Sequence, residues 1–274
     1  MTGASHGYES PGIAGSGAIA TGLAAVSTTT AETILLARSE ASAWRAEEKV
    51  VAACAKIEGA DPSRLRVTTD PADLAECDVV VEAIVEELEP KGELISTVAE
   101  ACPRADLATT TSSLGIGDIA AAAGTQKLFG LHVFNPVPRM QLVEVCFPDG
   151  AGEAREKALA WCAALGKTAV EVPDQAGFVV NRLLFPYLFD AVRMVERTGM
   201  EAGEVDACMK LGAGHPMGPL ALLDFVGLDV AEAIGDALYA DSSEAAHKPP
   251  ALLTEMVAAG KLGRKTGEGF YAYD

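Results

Sequence analysis

Short apolar runs alternate with helical stretches over roughly the first 170 residues, and past Val172-Pro173-Asp174 the chain reads as helices only. No other feature constrains the fold as strongly. Parallel neighbours in a sheet must be joined by a crossover, usually a helix, so this repetition predicts a doubly wound sheet with right-handed crossovers. PGIAGSG precedes a small-residue helix, AIATGLAAVSTTT, and ETILLARS reads as the second strand. A long helix over 40–57 follows, then strands at Arg66-Val67-Thr68 and in CDVVVEAIV, the latter apolar enough to be buried on both faces. A helix over 90–102, a strand in LATTTSS, a helix from Gly117 and the strand-turn-strand FGLHVFNPVPRMQLVEV complete the alternating part. From Gly177 onward, apolar residues recur at helical spacing between Gly and Pro breaks, with Pro186 placed to kink the first helix. The expectation is an α/β chain: a sheet domain over 1–176 followed by an all-α C-terminal domain over 177–274.

Charge narrows the partners. At a formal −18, the surface is unsuited to nucleic acid or to an anionic membrane. Acidic small ligands would need a local positive site made of helix N-termini and a few Arg or Lys. The six cysteines show neither CxxC pairing nor metal-type spacing with histidine, so they read as free thiols in a reducing compartment, and no metal is expected. No apolar run has the length of a membrane span, and the opening MTGASHGYE reads as a frayed tail rather than a secretion signal. Together these point to a cytoplasmic protein.

Gly15-Ser-Gly17-Ala-Ile-Ala20 follows a short apolar strand and opens a helix, the context of a dinucleotide-binding turn in a Rossmann-like sheet. Gly15 permits the tight turn, Gly17 leaves room for a pyrophosphate at the helix N-terminus, and Ala20 stands in for the third glycine. Pro11 and Gly12 make the strand itself weak, with an irregular start expected. After the second strand, where an acidic residue would bond the ribose of NAD, the chain has Arg38 followed by Ser39. A guanidinium beside a hydroxyl suits a 2′-phosphate, so NADP is the expected cofactor, with NAD possible if Arg38 is merely solvated.

His132 ends an apolar run, the Asn135-Pro136 step follows, and a second extended run carries Glu144. Imidazole is the side chain best suited to move protons near neutral pH, and a carboxylate in reach can hold its tautomer. The same residues also fit a structural histidine and a solvated glutamate.

HVFNPVPRMQLVEV and GFVVNRLLFPYL closely resemble the L-3-hydroxyacyl-CoA dehydrogenase family. The likeness covers nearly the whole chain and is also strong from Met209 to Gly227 and in GKLGRKTGEGFYAY. It implies that His132 is the general base taking the hydroxyl proton as hydride leaves C3, that Glu144 orients and charge-stabilises it, and that Ser112 and Asn181 hold the substrate oxygen in a site between the domains. Ser112 reads equally well as a helix cap, and an isolated Asn at position 181 is usually a cap or an interdomain hydrogen bond. The likeness of VEAIVEELEPK to the family's fourth-strand segment implies cofactor contacts near Ala83, Glu86 and Lys91. It implies a (3S)-hydroxyacyl thioester substrate and a homodimer formed through the C-terminal domain, for which the helix FPYLFDAVRMV offers an apolar face.

Three departures bear on function. Arg38 replaces the acidic residue, Thr110 stands where the family usually has Asn, and the brief EGADPSRLRVTTDP replaces most of a helical hairpin that in the family clamps the nucleotide of CoA. Either CoA is held more loosely, by the remaining helix and by Arg45, Lys49, Lys56, Arg64 and Arg66, or the acyl group arrives on an acyl-carrier protein. The net acidity favours CoA. A free 3-hydroxy acid as substrate, or a cofactor-binding protein without turnover, are the other readings.

Overall fold

The structure, a computed structural model, describes residues 7–273, so the tail reading falls, up to His6, outside the described residues. The chain divides into two compact units between Asp174 and Gln175.

In the first unit the strands are β1 (Pro11–Ala14), β2 (Thr33–Leu36), β3 (Leu65–Thr68), β4 (Val79–Glu82), β5 (Asp106–Thr109), β6 (Leu128–Val133), β7 (Leu142–Cys146) and β8 (Thr168–Glu171). Its helices are α1 (Ala18–Ser27), α2 (Glu40–Cys54), α3 (Leu88–Ala101), α4 (Ile116–Ala123) and α5 (Gly152–Ala164). The strands form one sheet in the order β3-β2-β1-β4-β5-β6-β7-β8, parallel throughout except between β6 and β7. Strand order reverses between β1 and β4, which opens a ligand crevice beyond their carboxyl ends.

β1 is regular despite its composition. Pro11 occupies its first position, where a missing N–H costs no central ladder bond, and Gly12 pairs with Ile34 on one side and Val80 on the other. A side chain at Gly12 would start 2.9 Å from Leu74 and 3.1 Å from the Cys77 sulfur, so the small residue allows close packing beneath the sheet. The Thr-rich tract after α1 also has a local purpose. The hydroxyls of Ser27, Thr28, Thr29 and Thr30 all bond back to carbonyls of the last turns and close the helix. α5 and β8 were not anticipated. β8 is a four-residue edge strand with three exposed residues, so it carries no apolar signature.

The second unit is helical: α6 (Val180–Thr198), α7 (Ala202–Ala213), α8 (Pro219–Val226), α9 (Leu228–Ser242) and α10 (Ala251–Ala258). α6 runs through Pro186 as one unbroken element. Phe185, Leu188, Phe189 and Val192 bury themselves against Leu220, Leu223, Leu228, Leu238 and Leu253. Two buried aspartates tie the C-terminal GEGFYAY segment down. Asp206 accepts the N–H groups of Leu220 and Ala221 and the Tyr271 hydroxyl, and Asp224 accepts those of Phe270 and Tyr271 and the Tyr273 hydroxyl. Among the described residues no helix is long and apolar enough to cross a membrane, and no group of three or more His, Cys, Asp or Glu gathers as for a metal ion.

Candidate active site

The antiparallel β6–β7 register sets His132 directly opposite Glu144, so both side chains leave the same face of the sheet. Imidazole Nδ1 lies 2.7 Å from Glu144 Oε2. Both residues are buried, at 5% and 2% exposure, where a hydrogen bond to a carboxylate holds the ring's tautomer and orientation far better than at the surface. The Phe134 ring lies against the imidazole, with centroids 4.5 Å apart. The Asn135-Pro136 peptide bond that follows is cis.

Ser112 lies past the carboxyl end of β5, and Glu86 past that of β4. The two meet. Glu86 Oε1 accepts the backbone N–H groups of Ser112 and Ser113 at 2.7 and 2.8 Å, the Thr111 hydroxyl at 2.7 Å and the Ser112 hydroxyl at 3.3 Å. Burial alone would raise the Glu86 carboxyl, but the Lys91 ammonium, the Thr111 hydroxyl and the two N–H groups outweigh it and hold the pKa down at about 2. Lys91, expected near the cofactor, is fully buried. Its ammonium lies 2.9 and 3.0 Å from the Glu82 oxygens and 3.3 Å from Glu86. Thr109 also donates to Glu82, at 2.6 Å. Glu82, Thr109, Thr111 and Ser113 were not singled out from sequence. The only signal was an acidic residue inside an otherwise apolar strand.

The glycine turn fits a dinucleotide. Gly15 has φ +147°, and a side chain there would start 2.3 Å from the Ala83 carbonyl oxygen, so no other residue can make this turn. Around Gly17 that position is open, with nothing within 4 Å. Gly17 is also the N-cap of α1, and no side chain caps the helix and no acid occupies its first turn, which leaves N–H donors for a pyrophosphate. Ala20 is buried behind the turn, and Ala83 carries the β4 ladder past Glu82 by bonding to Ala14.

Beside this turn lies a cavity of about 180 Å³ lined by Gly15, Ser16, Ala37, Arg38, Thr69 and Ile84 among others, with one guanidinium and no carboxylate in its lining. Arg38 is exposed. The Ser39 hydroxyl caps α2 by accepting the Ser42 N–H at 3.3 Å and lies 3.0 Å from the Ser42 hydroxyl, so it already has local partners. Of the five basic residues considered for CoA, two have structural partners. Arg64 donates to the Thr28 and Thr29 carbonyls and Arg66 pairs with Asp73, whereas Arg45, Lys49 and Lys56 are exposed on or just after α2. α2 gives way to a single short turn, Pro62–Arg64, before β3.

Asn181 opens α6 in the second unit and is buried there. The run FPYLFDAVRMV, expected to supply a dimer face, largely fills the core of its own unit. Leu183, Leu211 and Phe225 are the more exposed apolar side chains of this unit, at 70%, 87% and 51%.

Comparisons agree with this geometry along the whole chain. Residues 11–175 match the NAD binding domain of 3-hydroxyacyl-CoA dehydrogenase, and residues 177–273 match its C-terminal domain. The human mitochondrial hydroxyacyl-coenzyme A dehydrogenase is 46% identical over 216 residues, 77% of this chain and 69% of that protein. The crystal structure of Mycobacterium tuberculosis FadB2 superposes with a TM-score of 0.91 at 38% identity, covering 98% of this chain and 100% of that one. That of (S)-3-hydroxybutyryl-CoA dehydrogenase PaaH1 from Ralstonia eutropha gives 0.90 at 32% identity, covering 97% and 99%. The chain belongs to the 3-hydroxyacyl-CoA dehydrogenase family.

Proposed function

We propose that this protein interconverts a (3S)-hydroxyacyl-CoA and its 3-oxo partner, with NADP(H) preferred over NAD(H). The observation that carries the reading is the buried His132–Glu144 pair on a sheet whose β1–α1 turn fits a dinucleotide. A nicotinamide cofactor held at the Gly15–Gly17 turn would supply the hydride chemistry at C3. The chain's own part is proton handling and positioning. With Nδ1 held by Glu144, Nε2 is the nitrogen that takes the hydroxyl proton during oxidation and returns it during reduction. Glu144 stabilises the imidazolium without itself becoming protonated. Ser112 and Asn181 are assigned to the substrate oxygen, on family resemblance. Glu86 holds the Ser112 backbone in place.

Arg38 in a cavity lining that lacks a carboxylate supports NADP(H). The Glu40 carboxylate accepts the Thr69 hydroxyl at 2.8 Å. Steady-state reduction of acetoacetyl-CoA with each cofactor tests the preference. The wild type is expected to favour NADPH, and Arg38→Ala is expected to lower kcat/KM for NADPH by about 10- to 100-fold, the worth of charge-assisted phosphate bonds, with NADH little affected. A wild-type preference for NADH would overturn the assignment.

A carrier-protein thioester is the second reading, favoured by the brief connection between α2 and β3. Turnover with an acyl-carrier substrate and none with acyl-CoA would select it. A homodimer through the second unit is supported by the exposed Leu183, Leu211 and Phe225, and sedimentation of the purified protein tests it.

A further inference from the structure

Lys167 lies in the turn between α5 and β8, a part of the chain with no expected role. Its ammonium donates to two backbone carbonyls of the β6–β7 connection, Val137 at 2.5 Å and Met140 at 2.7 Å. The side chain is half-buried, and that burial lowers its pKa from the ordinary lysine range, a cost a solvated lysine does not carry.

The connection it holds, residues 134–141, joins the two strands of the proton-transfer pair. At its start, the Phe134 ring rests on the His132 imidazole. In its middle, Val137 is buried against Gly22 of α1, where a side chain would start 3.0 Å from the Val137 Cβ. At its end, the Gln141 carbonyl accepts the Thr168 N–H at 2.8 Å. Its only internal backbone bonds run from Arg139 and Met140 to the Pro136 carbonyl. Without the lysine, the Val137 and Met140 carbonyls lose this donor, and the connection is held only by Val137 against α1 and by the Gln141–Thr168 bond at its end.

We propose that Lys167 is a positioning residue for hydroxyacyl dehydrogenation: by clamping the β6–β7 connection against α1, it fixes the Phe134 ring on the imidazole and keeps His132 Nδ1 on Glu144. This rests on the reading of His132 as the proton-transfer group. Lys167 touches neither substrate nor cofactor in this role. It acts through backbone carbonyls, so a cation with donors of similar reach should replace it and an apolar chain of the same length should not.

The test is the set Lys167→Met, Lys167→Arg, Gly22→Ala and His132→Ala, assayed with acetoacetyl-CoA and reduced cofactor alongside thermal melts. Lys167→Met is expected to lower kcat by about 10- to 100-fold, the usual penalty for misplacing a catalytic group by about 1 Å. KM for the cofactor should stay unchanged, and the primary deuterium isotope effect on hydride transfer should rise as chemistry becomes slower. Lys167→Arg should recover most of the loss. Gly22→Ala pushes Val137 from the opposite side and should reproduce the low kcat in a protein that keeps its lysine, which covers the case in which Lys167→Met does not fold. A folded Lys167→Met with wild-type kcat and isotope effect overturns the proposal while leaving His132 in its role. Full turnover by His132→Ala overturns both.

Discussion

Replacing His132 with alanine is expected to lower turnover by about 10²–10⁴, the usual worth of a positioned acid-base group. Cofactor affinity should be retained, because the glycine turn and the Arg38 cavity lie beyond β1 and β2, whereas His132 sits on β6. The expectation follows from geometry. The imidazole is buried and its Nδ1 bonds a buried carboxylate, which orients the ring for proton transfer. Glu144→Gln should cost less than His132→Ala, since an amide still meets Nδ1 but no longer stabilises an imidazolium. Kinetics in both directions with cofactor titrations check this. Equal losses for the two variants would mean that the carboxylate does more than orient and stabilise.

Lys91→Met is expected to destabilise the fold by about 3–5 kcal/mol, since removing one partner of a buried pair leaves the other charge uncompensated. Glu82 is 2% exposed and has Lys91 as its cationic partner, with the Thr109 hydroxyl and the Ile84 N–H completing its shell. Urea unfolding measures the loss, and a Glu82→Gln/Lys91→Met double variant should recover part of it, because the stranded charge is then gone. A loss within about 0.5 kcal/mol, typical of surface changes, would show that the pair is not buried in solution.

The same cluster sets an acid limit. Glu86 is held at about 2 in the folded chain against an ordinary 4.5. A depressed carboxylate stabilises the folded state fully above its unfolded pKa, and that contribution is lost as pH falls from about 4.5 toward 2. In Lys91→Met the acid-dependent loss should be smaller and should finish at a higher pH, because the strongest influence lowering the Glu86 pKa is removed.

Much of this was readable in the residues because it depends on local chemistry. The Gly15–Ala20 turn declares itself by residue type, and the alternation of strands and helices declares the sheet. The His132–Glu144 pair was readable as a candidate, but its strength depends on a register that places the two directly opposite, which spacing alone does not fix. Ser39 shows the opposite limit: its type fits both a phosphate partner and a helix cap, and only the Ser42 N–H reveals the cap. Lys91 entered as a cofactor contact through the likeness of VEAIVEELEPK to the family's fourth-strand segment, which carries no signal of its burial. Its burial depends on Glu82, nine residues away and hidden in an apolar run. Lys167 and β8 gave no signal, since an exposed edge strand has no apolar face and a lysine bonding distant carbonyls leaves no pattern.

The most direct test of the account is the reduction of acetoacetyl-CoA by the purified protein, followed through NADPH oxidation and the stereochemistry of the product, with His132→Ala in parallel. The account predicts (3S)-hydroxybutyryl-CoA from the wild type and turnover lower by about 10² or more from the variant. Tight cofactor binding with no turnover in the wild type, or unchanged turnover in the variant, would contradict it.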